Sequence, residues 1–142
     1  MKHKILFRIS YIIIITACLL IIYIMYLMFC PYNIIDVKDS QSMKVSDKEI
    51  TAGSTISHYM YYCKYKDYSA EVTYQIIDGV IFHLPTRISN TPVGCKKVWV
   101  PIKLPEILPP GEYYISAVAK YKVNPVREIT KTFKTETFKI IE

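Results

Sequence analysis

Residues 9–30, ISYIIIITACLLIIYIMYLMFC, form an apolar run that contains no charged residue, glycine or proline. A bilayer core of about 30 Å needs about 20 apolar residues in a helix, and this run meets that length. Backbone polar groups inside lipid must satisfy one another, so an isolated run of this kind is helical there. The sequence therefore predicts a transmembrane helix over residues 9–30, preceded by a short basic tail over residues 1–8.

The charges that flank the run predict its orientation. Lys2, Lys4 and Arg8 precede it, and no acidic residue does. Positively charged flanks stay on the cytoplasmic side of a membrane. We therefore expect a single-pass protein with its N-terminus in the cytoplasm and its C-terminal part exported to the periplasm or the extracellular space.

Two other interpretations of this N-terminal segment remain open. A cleaved signal peptide has an apolar stretch of about 7–15 residues before its cleavage site, and the run is longer. Residues 15–18, ITAC, are similar to a bacterial lipobox, in which Cys18 would carry the lipid. The long apolar stretch that follows Cys18 argues against this second alternative, because a mature lipoprotein usually begins with a polar tether.

The charge of the exported part argues against one class of partner. The formal net charge of the chain is +6, and three of the basic residues precede the apolar run. The exported part is therefore only mildly basic, whereas nucleic-acid-binding domains concentrate basic residues. We expect the lipid bilayer as a partner and no nucleic acid.

Two cysteines of the exported part, Cys63 and Cys95, are predicted to form a disulfide, because disulfides persist outside the cytoplasm. In the chain-entropy model the closed loop restricts the unfolded chain by about 3–4 kcal/mol. Cys30, at the outer end of the apolar run, could bridge two copies. No CxxC pair accompanies His58 and Cys63, so no metal site is predicted.

The exported part has the pattern of short strands. Residues 70–77, AEVTYQII, alternate apolar and polar side chains, the period of a strand with one buried face. Asp78-Gly79 then predicts a hairpin to a strand over 80–84. About seven strands separated by turn formers predict an all-β domain, a β-sandwich over residues 50–142, after a tether and possible first strand over 31–49. The other predicted strands span 55–65, 97–104, 113–123 and 126–141, with a loop over 85–94.

One predicted strand carries a proline. Pro101 cannot donate to a β-ladder, so this strand is expected at a sheet edge or with a bulge. An edge of this kind, over Lys97–Leu104, could accept a strand from a partner.

Residues 108–117, LPPGEYYISA, resemble the turn into strand F of immunoglobulin-like and fibronectin-III-like sandwiches. There a small residue is followed two positions later by a tyrosine whose hydroxyl binds nearby backbone, and Gly111 and Tyr113 match these places. An antibody domain has cysteine at the position of Ile115 and a buried tryptophan on an earlier strand than Trp99. The resemblance is therefore to the broad superfamily, and it implies an immunoglobulin-like sandwich of about seven strands with a tyrosine corner. The Cys63–Cys95 bridge would then tie a strand end to a loop.

A second resemblance covers most of the exported part. CKYKD at 63–67, GC at 94–95, LPPGEY at 108–113 and YKVNPVREI at 121–129 are together similar to small exported proteins of tailed bacteriophages. That family implies no known activity, so no site residue follows from it.

Signatures of catalysis are absent from the sequence. It has no GxSxG and no HExxH, and its four glycines are scattered at separate turns. We therefore expect no enzyme activity, no cofactor and no small-molecule substrate.

Basic and aromatic side chains give the candidate interaction residues. Lys120, Lys122 and Arg127 could bind phosphate headgroups or an anionic wall polymer, or could be an ordinary exposed strand end. Trp99 and the tyrosines at 59, 61, 62, 65 and 68 could form an interaction face or pack within a sheet.

These features predict a membrane-anchored interaction or structural module that docks on an envelope protein or on a second copy. One alternative is a lysis or membrane-perturbing factor that acts through its anchor. The other is a module that binds cell wall or glycan through exposed tyrosines and Trp99.

Overall fold

The computed structural model describes the backbone of residues 2–141 and the side chains of residues 8–141. Within this part of the chain one helix, α1 (Lys2–Phe29), precedes ten strands, which confirms an all-β chain with one N-terminal helix. The strands are β1 (Ile35–Lys38), β2 (Glu49–Thr51), β3 (Thr55–Lys64), β4 (Ala70–Asp78), β5 (Val80–His83), β6 (Arg87–Ser89), β7 (Gly94–Lys103), β8 (Gly111–Asn124), β9 (Arg127–Lys134) and β10 (Phe138–Ile141).

Helix α1 is long and apolar enough to cross a membrane. Arg8–Phe29 spans 22 residues with a mean hydropathy of 2.8, and none of it is buried against other residues. Thr16 donates its hydroxyl to the carbonyl oxygen of Ile12 at 2.9 Å, so its polar group is satisfied within the helix. The helix begins before the predicted span of 9–30. The side chains of Lys2 and Lys4, in the predicted basic tail, lie outside the described residues.

The chain divides into two compact units, and α1 shares its unit with the turn at residues 124–127. The Asn124 side-chain amide donates to the carbonyl oxygen of Leu27 at 2.9 Å, and the Arg127 guanidinium donates to that of Cys30 at 2.6 Å. Carbonyls at the C-terminal end of a helix have no partner within it. These two side chains supply the missing donors, and the positive charge of Arg127 suits the negative end of the helix dipole.

The other unit contains two β-sheets. The smaller is antiparallel and has the order β1-β3-β7. The larger has the order β2-β10-β8-β4-β5, with β6 paired to β4 and β9 paired to β8. In this sheet β8 pairs antiparallel with β10 and β4, β4 pairs antiparallel with β5 and β6, and β2 runs parallel to β10.

Both sheets contribute to one hydrophobic core. Ile56 and Ile102 come from the smaller sheet, and Ile76, Ile115 and Ile140 from the larger, and each is at most 1% exposed. Successive side chains of a strand point to opposite faces, so each strand supplies alternate residues to this core. Each such buried side chain contributes about 1.5–3 kcal/mol.

Three details differ from the predicted strands. The expected final strand over 126–141 is divided into β9 and β10, because Thr135 binds Ile115 with both its backbone amide and its hydroxyl, each at 2.9 Å. The expected loop over 85–94 contains β6, which pairs with β4. Strand β7 begins already at Gly94, whose φ of +109° is a backbone conformation that only glycine adopts readily.

Candidate binding surface on the three-stranded sheet

The predicted disulfide between Cys63 and Cys95 is present. The two residues are opposite each other in the register of β3 and β7, with their Cα atoms 4.0 Å apart. The expectation that this bridge ties a strand to a loop is wrong, because Cys95 already belongs to β7. The bridge instead fixes one end of β7 to the central strand of its sheet.

The two faces of this sheet differ in character. Along β3 the even-numbered residues Ile56, His58, Tyr62 and Lys64 are buried, so the odd-numbered residues form the outer face. The register places Tyr59 opposite Trp99 and Tyr61 opposite Lys97. It also places Lys38 of β1 beside Tyr61.

These outer-face side chains contact one another. The rings of Tyr59 and Trp99 are 5.4 Å apart and tilted by 59°. Such pairs gain about 0.5–1.5 kcal/mol beyond the area they bury, so Tyr59 fixes the orientation of the tryptophan ring. The Lys97 ammonium lies 5.9 Å from the centre of the Tyr61 ring, within the range of a cation–π contact. Trp99 nevertheless remains 55% exposed.

The outer face forms the floor of a groove of about 980 Å³, here called the aromatic groove. Its aromatic lining is Tyr59, Tyr61 and Trp99. Its charged lining is Lys38, Lys44 and Lys97, against the single carboxylate of Asp39. An excess of positive charge beside one exposed and two half-buried aromatic residues suits an anionic partner.

One wall of the aromatic groove is the turn that follows β1. The amide of Ser42 donates to the carbonyl oxygen of Asp39 at 2.9 Å, and Asp39 has φ of +55°. Aspartate tolerates this left-handed conformation better than most residues. The amide of Lys134 donates to the carbonyl oxygen of Ser40 at 2.7 Å and ties the wall to β9.

Buried polar side chains lie directly behind the groove. His58 is 2% exposed, its Nδ1 has no hydrogen-bond partner, and burial lowers its pKa to about 4. The Tyr62 hydroxyl is likewise buried without a partner, and burial raises its pKa. The Lys64 ammonium donates to the carbonyl oxygen of Thr91 and lies 3.8 Å from Asp67. The described residues contain no group of three or more His, Cys, Asp or Glu side chains suited to a metal ion.

The predicted interaction residues do not share one surface. Trp99 lies in the aromatic groove, but Lys120 and Lys122 lie on β8 of the larger sheet, where Lys120 is opposite Glu71. Arg127 belongs to the unit of α1, where its guanidinium lies over the Tyr32 ring at 5.7 Å.

The members of the tyrosine cluster lie in different places. Tyr59 and Tyr61 line the groove, whereas Tyr62 is buried behind it. Sequence reasoning missed Lys38, Lys44 and Lys97 as site residues. Lys97 could have been found, because it lies two positions after Cys95 and therefore on the same face of the strand. No local pattern points to Lys38 or Lys44.

The turn into β8 has the hydrogen bond that its sequence predicts. The Tyr113 hydroxyl donates to the carbonyl oxygen of Pro109 at 2.9 Å. A side chain at Gly111 would place its Cβ 2.8 Å from the Asp78 carboxylate and 3.2 Å from the Tyr113 ring, so glycine leaves room for both groups. Burial is the main cause that raises the pKa of the Tyr113 hydroxyl.

Comparisons with known proteins give little. No protein-family model matches the chain, and no curated protein matches it. Among solved structures it is similar to the alkylpurine DNA glycosylase AlkC of Pseudomonas fluorescens, bound to DNA that contains an abasic site analogue. The match has 10% sequence identity and a TM-score of 0.36, and covers 72% of this chain and 30% of that chain.

This match corrects one expectation from the sequence. The prediction that the chain is not an enzyme is withdrawn, because the similar solved structure is that of an enzyme. A TM-score of 0.36 does not carry the glycosylase activity, its substrate or its fold over to this chain.

Proposed function

We propose that this chain is a membrane-anchored binding module. Helix α1 holds it in the bilayer with the N-terminus in the cytoplasm, and an exported immunoglobulin-like sandwich docks on an envelope partner through the aromatic groove. The observation that carries this proposal is Trp99, which is 55% exposed, packs against the ring of Tyr59 and lines the same groove as three lysines.

The exposure of α1 supports an anchor. Ile22 and Phe29 are 64% and 68% exposed. Most other large apolar side chains along the described part of the helix are also exposed. A contiguous apolar surface of this size on a protein marks contact with a membrane or with another protein. The disulfide between Cys63 and Cys95 supports export, because such bonds are rare in the cytoplasm.

The immunoglobulin-like assignment is supported by the two sheets that share a core and by the turn into β8. In that superfamily a tyrosine at this corner binds the backbone a few residues upstream. The bond from Tyr113 to Pro109 has this geometry.

A partner protein is favoured by the residue types in the groove. Tryptophan and tyrosine are enriched in protein interfaces, and truncation of a central aromatic residue there costs about 2 kcal/mol or more of binding free energy. Trp99 and Tyr59 line the groove together with Lys38, Lys44 and Lys97.

The experiment is site-specific photocrosslinking in the native membrane. A photoreactive amino acid is placed at Trp99 in one variant and at Ile88 in another. Ile88 lies on β6 of the larger sheet and is 74% exposed, so it controls for random collisions. We expect a discrete adduct from position 99 and none from position 88. No adduct from position 99, or equal yields from both, contradicts the proposal.

A glycan-binding module is the second candidate, and the tilted, open Trp99 ring beside Tyr59 favours it. The apolar faces of sugar rings pack against aromatic rings, and the lysines around the groove would suit an anionic glycan. In the crosslinking experiment this alternative gives adducts from position 99 in which the attached partner is degraded by a glycosidase and is not degraded by a protease.

A further inference from the structure

Strand β7 has a free edge whose direction follows from the hydrogen bonds of β3. The amide of Tyr59 donates to the carbonyl oxygen of Lys44, and the carbonyl oxygen of Ser57 accepts from the amide of Ser46, both at 2.7 Å. The odd-numbered residues of β3 therefore point their backbone groups away from β7. In an antiparallel ladder, the residues opposite them on β7 likewise point their backbone groups outwards, here away from β3. Trp99 and Pro101, opposite Tyr59 and Ser57, thus point their backbone groups to the open side of β7.

The open edge is therefore defined residue by residue. Among the described strands β7 pairs with β3 alone. Its outward amides belong to Cys95, Lys97 and Trp99, and the row of donors stops at Pro101, which has none. Pro101 removes no bond to β3, because its nitrogen lies on the open side. The usable edge is thus Cys95–Trp99, shorter than the Lys97–Leu104 edge expected from the sequence.

The same residues present side chains to any strand that adds there. Odd-numbered positions are on the outer face, so Lys97 and Trp99 would flank an added strand on that side. Even-numbered positions are on the opposite face, where Lys96 is exposed and Val98 is half-buried. An added strand would meet two lysines and two apolar side chains within four consecutive residues.

We propose that the partner contributes an extended acidic peptide segment that adds to β7 as an antiparallel strand over Cys95–Trp99. This proposal rests on the proposed function and names the partner's chemistry. Strand addition gains affinity from backbone hydrogen bonds and specificity from alternate side chains. Both existing pairs of this sheet are antiparallel, so the added strand continues that geometry. It carries an aromatic residue opposite Trp99, an apolar residue opposite Val98, and acidic residues opposite Lys97 and Lys96.

A second copy of the chain fits this edge less well. Pairing of two β7 strands brings Lys96 and Lys97 of each copy close to the same lysines of the other. Like charges on neighbouring strands are destabilising, whereas opposite charges stabilise the pair.

The test uses the fluorescence of Trp99, the single tryptophan of the chain. Full-length protein in lipid nanodiscs is titrated with the peptide acetyl-Tyr-Val-Glu-Glu-Thr-amide, written in the antiparallel direction. We expect a saturable change in Trp99 emission. N-methylation of the first, third and fifth amides, which face β7, abolishes the change, and N-methylation of the second and fourth amides leaves it intact. Equal effects of the two methylation patterns overturn the strand addition.

A charge swap tests the role of the lysines. Lys97→Glu weakens binding of this peptide by about tenfold, and a peptide with lysine in place of both glutamates recovers binding to that variant. Lys120→Glu makes the same change of charge on the larger sheet and leaves the affinity unchanged. Equal losses in the two variants overturn the proposal.

Three further results separate this proposal from the proposed function. If position 99 crosslinks to a protein in the native membrane but the peptide causes no change in emission, the acidic strand is wrong and the docking surface stands. If polygalacturonate, an anionic glycan, changes Trp99 emission and the peptide does not, the partner is a glycan and the strand is overturned. If position 99 gives no crosslink at all, the docking surface itself is wrong.

Discussion

His58 makes the folded domain sensitive to acid. Its ring is buried beside Tyr74, at 6.1 Å between ring centres, and burial lowers its pKa from 6.5 to about 4. The unfolded chain therefore binds a proton more readily than the folded one as the pH falls below 6.5. Stability is fully present above pH 6.5 and is lost towards pH 4, by about 2.5 kcal/mol between about pH 7.5 and pH 4.5.

Denaturant unfolding at these two pH values, followed by Trp99 fluorescence, measures this loss. His58→Phe keeps a ring in the site but cannot be protonated, so its free energy of unfolding should change much less with pH. His83→Phe is the control, because His83 is exposed on β5 and its replacement should preserve the wild-type pH dependence. An unchanged loss in His58→Phe would show that other groups cause the acid sensitivity.

A single hydroxyl stabilises the turn into β8. Tyr113→Phe removes the bond to Pro109 and keeps the buried ring, so we expect a loss of about 1 kcal/mol in the free energy of unfolding. Tyr114→Phe is the matched control at the next residue, where the side chain is half-buried, and it should change stability by less than about 0.5 kcal/mol. Equal effects of the two substitutions in a urea titration would argue against a tyrosine corner.

At the scale of elements, the disulfide determines how firmly β7 is held. Cys63 and Cys95 are 32 positions apart, and closing a loop of this length restricts the unfolded chain. The Cys63→Ser/Cys95→Ser double variant should therefore lose about 3–4 kcal/mol of stability, measured by thermal or denaturant unfolding of the full chain in detergent. Cys18→Ser/Cys30→Ser, which removes the two free cysteines, should lose little. A stable double variant would show that the strand register alone holds β7.

The strands that could be predicted are those whose pattern is local. β4 follows an alternation visible in the sequence, and the hairpin after it turns at Gly79, whose φ is +61°. The break between β9 and β10 could not be predicted, because it depends on Thr135 binding Ile115 on another strand. The same holds for β6, which consists of three residues and exists through its pairing with β4.

The candidate site was predictable only in part for a related reason. Trp99 stands out as the single tryptophan, and the expectation that it is exposed agrees with the structure. Its neighbours in the groove come from β1, β3 and the turn after β1, which the β1–β3–β7 register brings together. Lys38 and Lys44 are unremarkable surface lysines in the sequence. That Lys38 and Lys44 share a groove with Trp99 is therefore a property of strand pairing, which no local pattern encodes.

At the scale of the whole molecule, the same N-terminal charges that orient the anchor should decide whether the disulfide forms. The predicted topology rests on Lys2, Lys4 and Arg8 before the apolar run. Replacing all three by glutamate removes the positive flank and should retain a substantial fraction of the C-terminal domain in the cytoplasm. Disulfides are rare there, so Cys63 and Cys95 of that fraction stay reduced.

This outcome is measured by alkylating free thiols in intact cells with a membrane-permeant reagent that adds mass to each cysteine. The wild type should gain mass at Cys63 and Cys95 only after reduction, and the charge-reversed variant should gain it directly. A variant with Lys120, Lys122 and Lys131 replaced by glutamate has the same net charge but an intact N-terminal flank, so its thiols should behave as in the wild type. Complete disulfide formation in the charge-reversed variant would mean that these three charges do not set the orientation.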